Sequence, residues 1–259
     1  MKLDIFQVDA FTSKPFGGNP AAVVPLEAWL ADELMQSIAL ENNLSETAFF
    51  VRTGDVYALR WFTPTFEIDL CGHATLATAF VIFTILGSEE TILTFETKSG
   101  LLTVDKNRDR LVLDLPSRPA TSCEVPAGLI EAIGKEPKEV LRSRDYLLIY
   151  ETEADVLALE PNFAELLKIN THAVIVTAKG DSSDFVSRFF APEVGVFEDP
   201  VTGSAHCTLI PYWAEKLGQT EMFARQVSAR GGELFCDLAG DRVRIGGNAT
   251  LYLKGEIYV

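Results

Sequence analysis

The chain has 259 residues, 47% hydrophobic and 23% charged, enough to bury one large core or two smaller ones. A formal net charge of −15 excludes a nucleic-acid binder that relies on clustered Lys and Arg, and it works against anionic partners at long range. The opening MKLDIFQVDAF carries Asp4 and Asp9 within its alternation and is no signal peptide. The most apolar run, 74–86, has 13 residues where a membrane span needs about 20, so no membrane partner is expected. The four cysteines (71, 123, 207 and 236) show neither CxxC pairing nor metal-ligand spacing, and only three histidines accompany them. A cytoplasmic protein with no metal site is expected.

In chain order, KLDIFQVD alternates as a strand, AAVVPL is a short buried run, and LADELMQSIALENN spaces its apolar residues as a helix. TAFFV and YALRWFT are aromatic-rich strands. Residues 73–86, apolar almost all round, predict a helix enclosed by protein. TILTFET, GLLTVDK and RLVLDL follow as a meander with Gly100 and Asn107 in its turns. Pro, Ser and Thr concentrate in 116–128, the best linker in the chain. A second series comprises YLLIYE, short helices around Val156 and Phe163, HAVIVTA (with His172 in its buried pattern), FVSRFF, a helix from Ser204 and closing strands. Pro211 should kink that helix, because its ring removes the bond to Cys207.

The two series are related. GDVYALRWFTP (54–64) and GDSSDFVSRFFAP (180–192) each end in Arg-aromatic-Phe-x-Pro. A Glu, four residues and Gly-x-Ala follow in both, Glu67 to Gly72 and Glu198 to Gly203, at an offset of 131. Each of these glycines opens a segment ending at another Gly 15 residues on, Gly87 and Gly218. So many matched spacings imply a duplicated fold, one copy per domain.

The start of a helix carries unpaired N–H groups and about half a positive charge, and a glycine there admits a ligand close to the backbone. Two such starts aimed at a shared cleft would make a carboxylate cradle; the plainer reading makes Gly72 and Gly203 turn glycines and Ser204 an N-cap. Glu46, in NNLSETAFF, lies where a helix gives way to an apolar strand, surroundings that suit a group taking and giving one proton; the plainer reading makes it a helix-capping or loop acid. His73 could donate to a substrate or merely fill the first turn, and Asp199 could orient a partner or merely begin an Asp-Pro turn. Glu67 and Glu198, present in both copies, look like acids that hold the fold by bonding loop amides. His206, in the first turn of its helix, is open between the two kinds of role. The chain lacks a GxSxG elbow, a phosphate loop and GxGxxG, so no nucleotide or flavin cofactor is expected.

FQVDAFTSKPFGGNPAAVV, NNLSETAFF, RWFTPTFEIDLCGHATLA, RFFAPEVGVFEDPVTGSAH and RIGGNATLYLKGEI resemble, in order and over nearly the whole chain, the PhzF-like phenazine-biosynthesis family. The resemblance implies an α+β, diaminopimelate epimerase-like fold: two pseudo-symmetric domains, each a mixed β-barrel-like sheet around a central helix, with the active site between them. Domains over 1–118 and 119–259 are expected, the last strand packing on the first. It also implies a cofactor-free isomerase moving a proton on a small anionic substrate, and a homodimer. Glu46 falls on the proton-transferring glutamate, and His73, Asp199 and Ser204 on its hydrogen-bonding supports. Amides at Gly72–His73 and Gly203–Ser204 would hold the substrate carboxylate, with Asn19 near the cleft. Related racemases place a cysteine before each helix-start glycine; the positions here are Cys71 and Thr202, and a Thr hydroxyl is too weak an acid to replace a thiolate. ARGGEL (229–234) departs from the family's usual Gly-Arg-Pro-like turn, so the family's substrate does not carry over. The alternatives are a racemase or epimerase of an amino-acid-like substrate, and a non-catalytic small-molecule or protein binder.

Overall fold

The computed structural model describes residues 1–108 and 110–259. The first series runs β1 (Lys2–Ala10), β2 (Asn19–Leu26), α1 (Asp32–Asn42), β3 (Glu46–Thr53), β4 (Val56–Phe62), the short β5 (Glu67–Ile68) and α2 (Gly72–Phe80). A π-helical turn (Val81–Ile85) extends α2 before the meander of β6 (Ile92–Thr97), β7 (Gly100–Asn107) and β8 (Arg110–Pro116). The second series contains β9 (Thr121–Ser122), α3 (Leu129–Ile133), β10 (Glu139–Arg142), β11 (Tyr146–Ile149), α4 (Glu153–Leu157), α5 (Phe163–Leu166), β12 (Val174–Lys179) and β13 (Phe185–Phe190). Then come a 3₁₀ turn (Pro192–Val194), α6 (Gly203–Leu217), β14 (Glu221–Gln226), β15 (Gly232–Ala239), β16 (Arg242–Gly247) and β17 (Ala249–Tyr258).

Contacts divide the chain into 1–114 with 245–259, and 115–244. The break precedes the expected 118/119, and 116–128 is not purely a linker, since β9 within it pairs with β10. The final residues belong to the first unit because β17 lies antiparallel along the whole of β1, from Lys2↔Tyr258 to Ala10↔Ala249.

The strand pairings repeat. In the first unit β2 runs parallel to β3, β3 antiparallel to β4, β4 parallel to β6 and β6 antiparallel to β7. In the second, β11 and β12, β12 and β13, β13 and β14, and β14 and β15 follow the same sequence of directions. The parallel pairs β4/β6 and β13/β14 each need a crossover, and the long helices α2 and α6 supply it. Residues 72–79 of α2 are all buried, as its apolar sequence requires, and it packs on β1, β2, β3, β7 and β17. Both helical segments stop at a glycine in the left-handed region, Gly87 (φ +72°) and Gly218 (φ +69°).

The repeated Arg and Glu of the two copies bind each other. Arg60 grips Glu67 through Nε and Nη2, both at 2.8 Å, and Arg188 grips Glu198 through the same nitrogens at 2.8 and 3.0 Å. Glu67 and Glu198 therefore hold the fold through arginine rather than through loop amides. α6 passes through Pro211 unbroken, and the Cys207 carbonyl that Pro211 cannot serve accepts the Arg118 backbone N–H at 2.8 Å.

Candidate active site

In the first unit Gly72 is the first residue of α2, preceded by Cys71 as an N-cap that makes no side-chain capping bond. His73 thus occupies the first turn, 4% exposed. Asn43 in the left-handed conformation ends α1, and the chain enters β3 at Glu46, 9% exposed among Thr47, Ala48 and Phe49. Gly18, at φ +61°, turns the chain into β2 where any Cβ would stand 2.0 Å from the Ala10 carbonyl oxygen, and so delivers Asn19 fully buried.

These residues converge. His73 Nε2 stands 2.9 Å from Glu46 Oε2, but the approach misses hydrogen-bond alignment, so both atoms keep unused capacity. On the other side of the ring, Asn19 Nδ2 lies 3.1 Å and Cys71 Sγ 3.5 Å from His73 Nδ1. Burial opposes charge on His73, yet its neighbours lift its pKa well above 6.5. Burial also pushes the Cys71 thiol up to about 11, so it is neutral at neutral pH, and the Glu46 carboxylate is the partner that favours the imidazolium. An imidazolium needs an acceptor at both nitrogens. Glu46 Oε2, 2.9 Å away, is the acceptor nearest Nε2, and Asn19 serves Nδ1 only with its amide turned so that Oδ1 faces the ring. With Nδ2–H donating to Nδ1, the ring is neutral. The Asn19 amide thus follows the charge of His73.

The fold also assembles donors that linear spacing did not announce: ligand atoms of Glu46, Cys71 and His73 lie within 4.8 Å of one another. A carboxylate, a thiol and an imidazole that close could hold a small cation as well as a proton.

In the second unit Thr202 occupies the N-cap of α6, so Ser204 lies within the first turn and is no cap. The Thr202 N–H donates to Gln226 Oε1 at 2.8 Å, and Gln226 Nε2 donates to Thr202 Oγ1 at 3.1 Å and to the Asp199 carbonyl at 2.7 Å. Thr202 Oγ1 donates to the Asp199 carboxylate, which fixes that acid beside the start of α6. Gln226, 1% exposed, was missed in the sequence; its only signal is an amide at an inward position of the alternating EMFARQ strand. Arg144 was missed as well, and its Nη2 lies 3.4 Å from Ser204 Oγ.

His206 is fully buried and donates from Nδ1 to the Thr202 carbonyl at 2.8 Å; burial lowers its pKa to about 4, so it stays neutral. His172 is not in a buried strand: it precedes β12, its side chain is 42% exposed, and Nδ1 lies 3.0 Å from Asp145 Oδ1. ARGGEL begins inside a tight turn closed by the Gly231 N–H donating to the carbonyl of Ser228, the residue before it, at 3.0 Å.

Strand register compares the two copies residue by residue. Phe49 faces Arg60 and Val176 faces the equivalent Arg188, so three residues earlier Ala173 takes the place of Glu46. Thr202 stands where Cys71 does, before the first helical glycine. Only the first unit carries the acid.

Residues 8–255 match the family model for phenazine biosynthesis-like proteins. An uncharacterized isomerase of Pseudomonas aeruginosa is 54% identical over 260 residues, with both chains fully covered. The crystal structure of a phenazine biosynthesis protein PhzF family member from Enterococcus faecalis matches with a TM-score of 0.98 at 49% identity, covering each chain in full. A predicted epimerase of Pseudomonas aeruginosa, 20% identical with a TM-score of 0.74 over 99% of each chain, shares the fold. The architecture is α+β and of the diaminopimelate epimerase-like kind. Among the described residues no helix is long and apolar enough to cross a membrane.

Proposed function

The chain belongs to the PhzC-PhzF family of phenazine biosynthesis-like proteins, and from that premise we propose that it is an isomerase that moves a proton on a small carboxylate-bearing substrate without a cofactor. The observation that carries this reading is the buried Glu46–His73 contact of 2.9 Å, in which both facing atoms keep capacity for a third partner. Glu46, as a carboxylate, takes the proton from the substrate carbon and returns it at another carbon of the same molecule. His73 Nε2 faces that carboxyl at 2.9 Å throughout. Its own proton count need not change, because Glu46 alone takes and returns the proton. Negative charge developing on the substrate is stabilised by the N–H groups at the Gly72 start. Asp199, Gly203 and Ser204 of the second unit keep the substrate-holding part that the family resemblance gives them. Enough positive potential at such helix starts acts within the Debye length, about 8 Å at physiological salt, to offset the repulsion of a net charge of −15.

A two-base racemisation is disfavoured. Thr202 replaces the second thiol, Ala173 replaces a second carboxylate, and Cys71 is a neutral thiol. The test is deuterium incorporation from D₂O into a panel of cyclic diene and β,γ-unsaturated carboxylates, followed by NMR. The wild type should label at least one acid, and Glu46→Gln should lose roughly 10²–10⁴-fold in rate while still binding it. Equal labelling by Glu46→Gln, or none by the wild type, would overturn the reading.

A further inference from the structure

We infer that β17 is a self-pairing edge: two copies of this chain join β17 to β17, antiparallel, about a twofold axis at Gly255.

The edge is long and used on one side. β17 lies against β1 from end to end, and among the described residues no strand pairs with its other side. A row of backbone N–H and C=O groups along such a side is a template for another strand. The side chains agree with that position. Leu253 and Lys254, neighbours that point to opposite faces of the sheet, are both exposed, which an interior strand does not allow. Tyr252, Tyr258 and Val259 are exposed too, Tyr258 by 76%. Phe16, itself 71% exposed, packs edge-on against Tyr252 with ring centroids 5.6 Å apart. A row of apolar side chains beside open backbone marks an interface.

Charge selects the occupant and the register. The Val259 N–H donates to the Met1 carbonyl at 2.8 Å, and the register runs unbroken from Lys2↔Tyr258 to Gln7↔Leu253. Val259, Ile257 and Gly255 therefore turn their backbone groups to β1, and Lys254, Glu256 and Tyr258 turn theirs outward. A second antiparallel copy must set outward residues opposite outward residues. An axis at Lys254 would put lysine against lysine, and an axis at Glu256 would put glutamate against glutamate, both unfavourable. An axis at Leu253 or Ile257 would leave both charges without a counter-charge opposite. The axis at Gly255 sets Lys254 opposite Glu256 twice, Leu253 opposite Ile257 twice, and brings Tyr258 towards Tyr252 and Phe16.

Both charges are available for this. Glu256 Oε1 meets Lys2 Nζ at 2.5 Å in a pair whose side chains are 40% and 56% exposed, and Lys254 Nζ stands 5.8 Å from the centre of the Phe6 ring. Neither contact takes its charge out of water. Charges on an open strand guard it against pairing. Lys254 and Glu256 guard this edge against neighbouring registers and favour the one in which each meets its opposite. The pairing is isologous, uses the open side of β17 in each copy and closes at two chains.

The experiment is sedimentation equilibrium of the full chain from about 1 to about 100 µM, where a monomer–dimer equilibrium is expected. Lys254→Glu and Glu256→Lys each set like charges opposite at two symmetric places, and each should weaken the dimer at least about tenfold. Mixed in equal amounts, the two variants should associate with each other about as tightly as the wild type, because every charge in the mixed pair again faces its opposite. A folding defect cannot produce that rescue. Gly255→Cys reads the axis directly and serves where a charge variant does not fold. A Cβ there meets only Leu253 Cδ2 at 3.7 Å and Ile5 Cγ2 at 4.0 Å, ordinary contacts. Opposed residues of a non-hydrogen-bonded pair have Cα atoms about 4.5 Å apart, within disulfide range. Mild oxidation should link Gly255→Cys into a covalent dimer and leave the wild type and Leu251→Cys unlinked. A wild type that stays monomeric, growth beyond two chains, single charge variants that dimerise like the wild type, a mixture that fails to associate, or no link through position 255 overturns the assignment.

Discussion

The two units share a strand order and an Arg–Glu clasp, yet they have been given different chemistry. At the start of α2 the first unit gathers Glu46, Cys71 and His73, all buried, around one imidazole. At the start of α6 the second unit has Thr202 and Ser204, Ala173 where the acid would stand, and Arg144 beside the first turn. The duplicated framework is what register and backbone demand. The few side chains at the helix starts differ although they are buried, because the strand pairings and the Arg–Glu clasps that define the framework do not run through them. The first copy keeps an acid, an imidazole and a thiol at its helix start, and the second keeps hydroxyls and an amide.

The largest effect that would sharpen this contrast is the roughly 10²–10⁴-fold loss of exchange rate in Glu46→Gln, against a smaller loss for Ser204→Ala that falls on substrate affinity, read by NMR in D₂O. Comparable losses from both would break the division of labour.

The clasps come next. Arg188 also donates to the Val156 and Leu159 carbonyls at 3.1 and 2.8 Å, so Arg188→Met strands a carboxylate and the Leu159 carbonyl, while the Val156 carbonyl keeps the Leu159 N–H. After Arg60→Met, Glu67 keeps Lys98 at 2.6 Å. Urea unfolding should show Arg188→Met costing about 3–5 kcal/mol and Arg60→Met about 1–3 kcal/mol. The opposite ranking would mean that the first copy depends more on its clasp.

Protonation separates the units as well. His206 has a folded pKa depressed to about 4 against about 6.5 unfolded, so the unfolded chain binds the extra proton between those values. Stability should therefore fall by roughly 3 kcal/mol from this group as pH drops from 6.5 to 4, and His206→Asn should flatten that slope. His73 has the opposite sign. Its raised pKa contributes stability that is full below about 6.5 and is lost as pH rises through the folded value. His73→Gln should remove a loss of stability on the alkaline side, measured by urea midpoints at a series of pH values.

The smallest change is expected from Cys71→Ala. A thiol with a pKa of about 11 is not the proton carrier, so exchange should stay within the same order of magnitude. Abolished exchange would restore the two-base alternative.

Much of this was legible in the residues themselves. The Arg-aromatic-Phe-x-Pro and Gly-x-Ala spacings announced the duplication, because a repeated backbone needs the same turn and helix-start residues at the same intervals. The all-round apolar run announced the enclosed helix, and Glu46 and His73 stood out by what surrounds them. Other features were hidden. Gln226 reads as one polar residue in an alternating strand, Arg144 as one charge in RSRD, and His172 as part of an apolar run. Glu67 and Glu198 were visible as paired acids, but their partners were not, because the arginines lie 7 and 10 residues earlier and meet them only across folded strands.

Local periodicity and turn chemistry, which act over a few residues, determined the elements, the doubling and the glycines that open and close the two long helices. Only the tertiary structure decided which polar side chains meet. Those contacts join residues 27 to 60 positions apart, Glu46 with His73, Asp145 with His172 and Arg144 with Ser204. Strand register and burial set both their distances and the cost of leaving a charge unpaired.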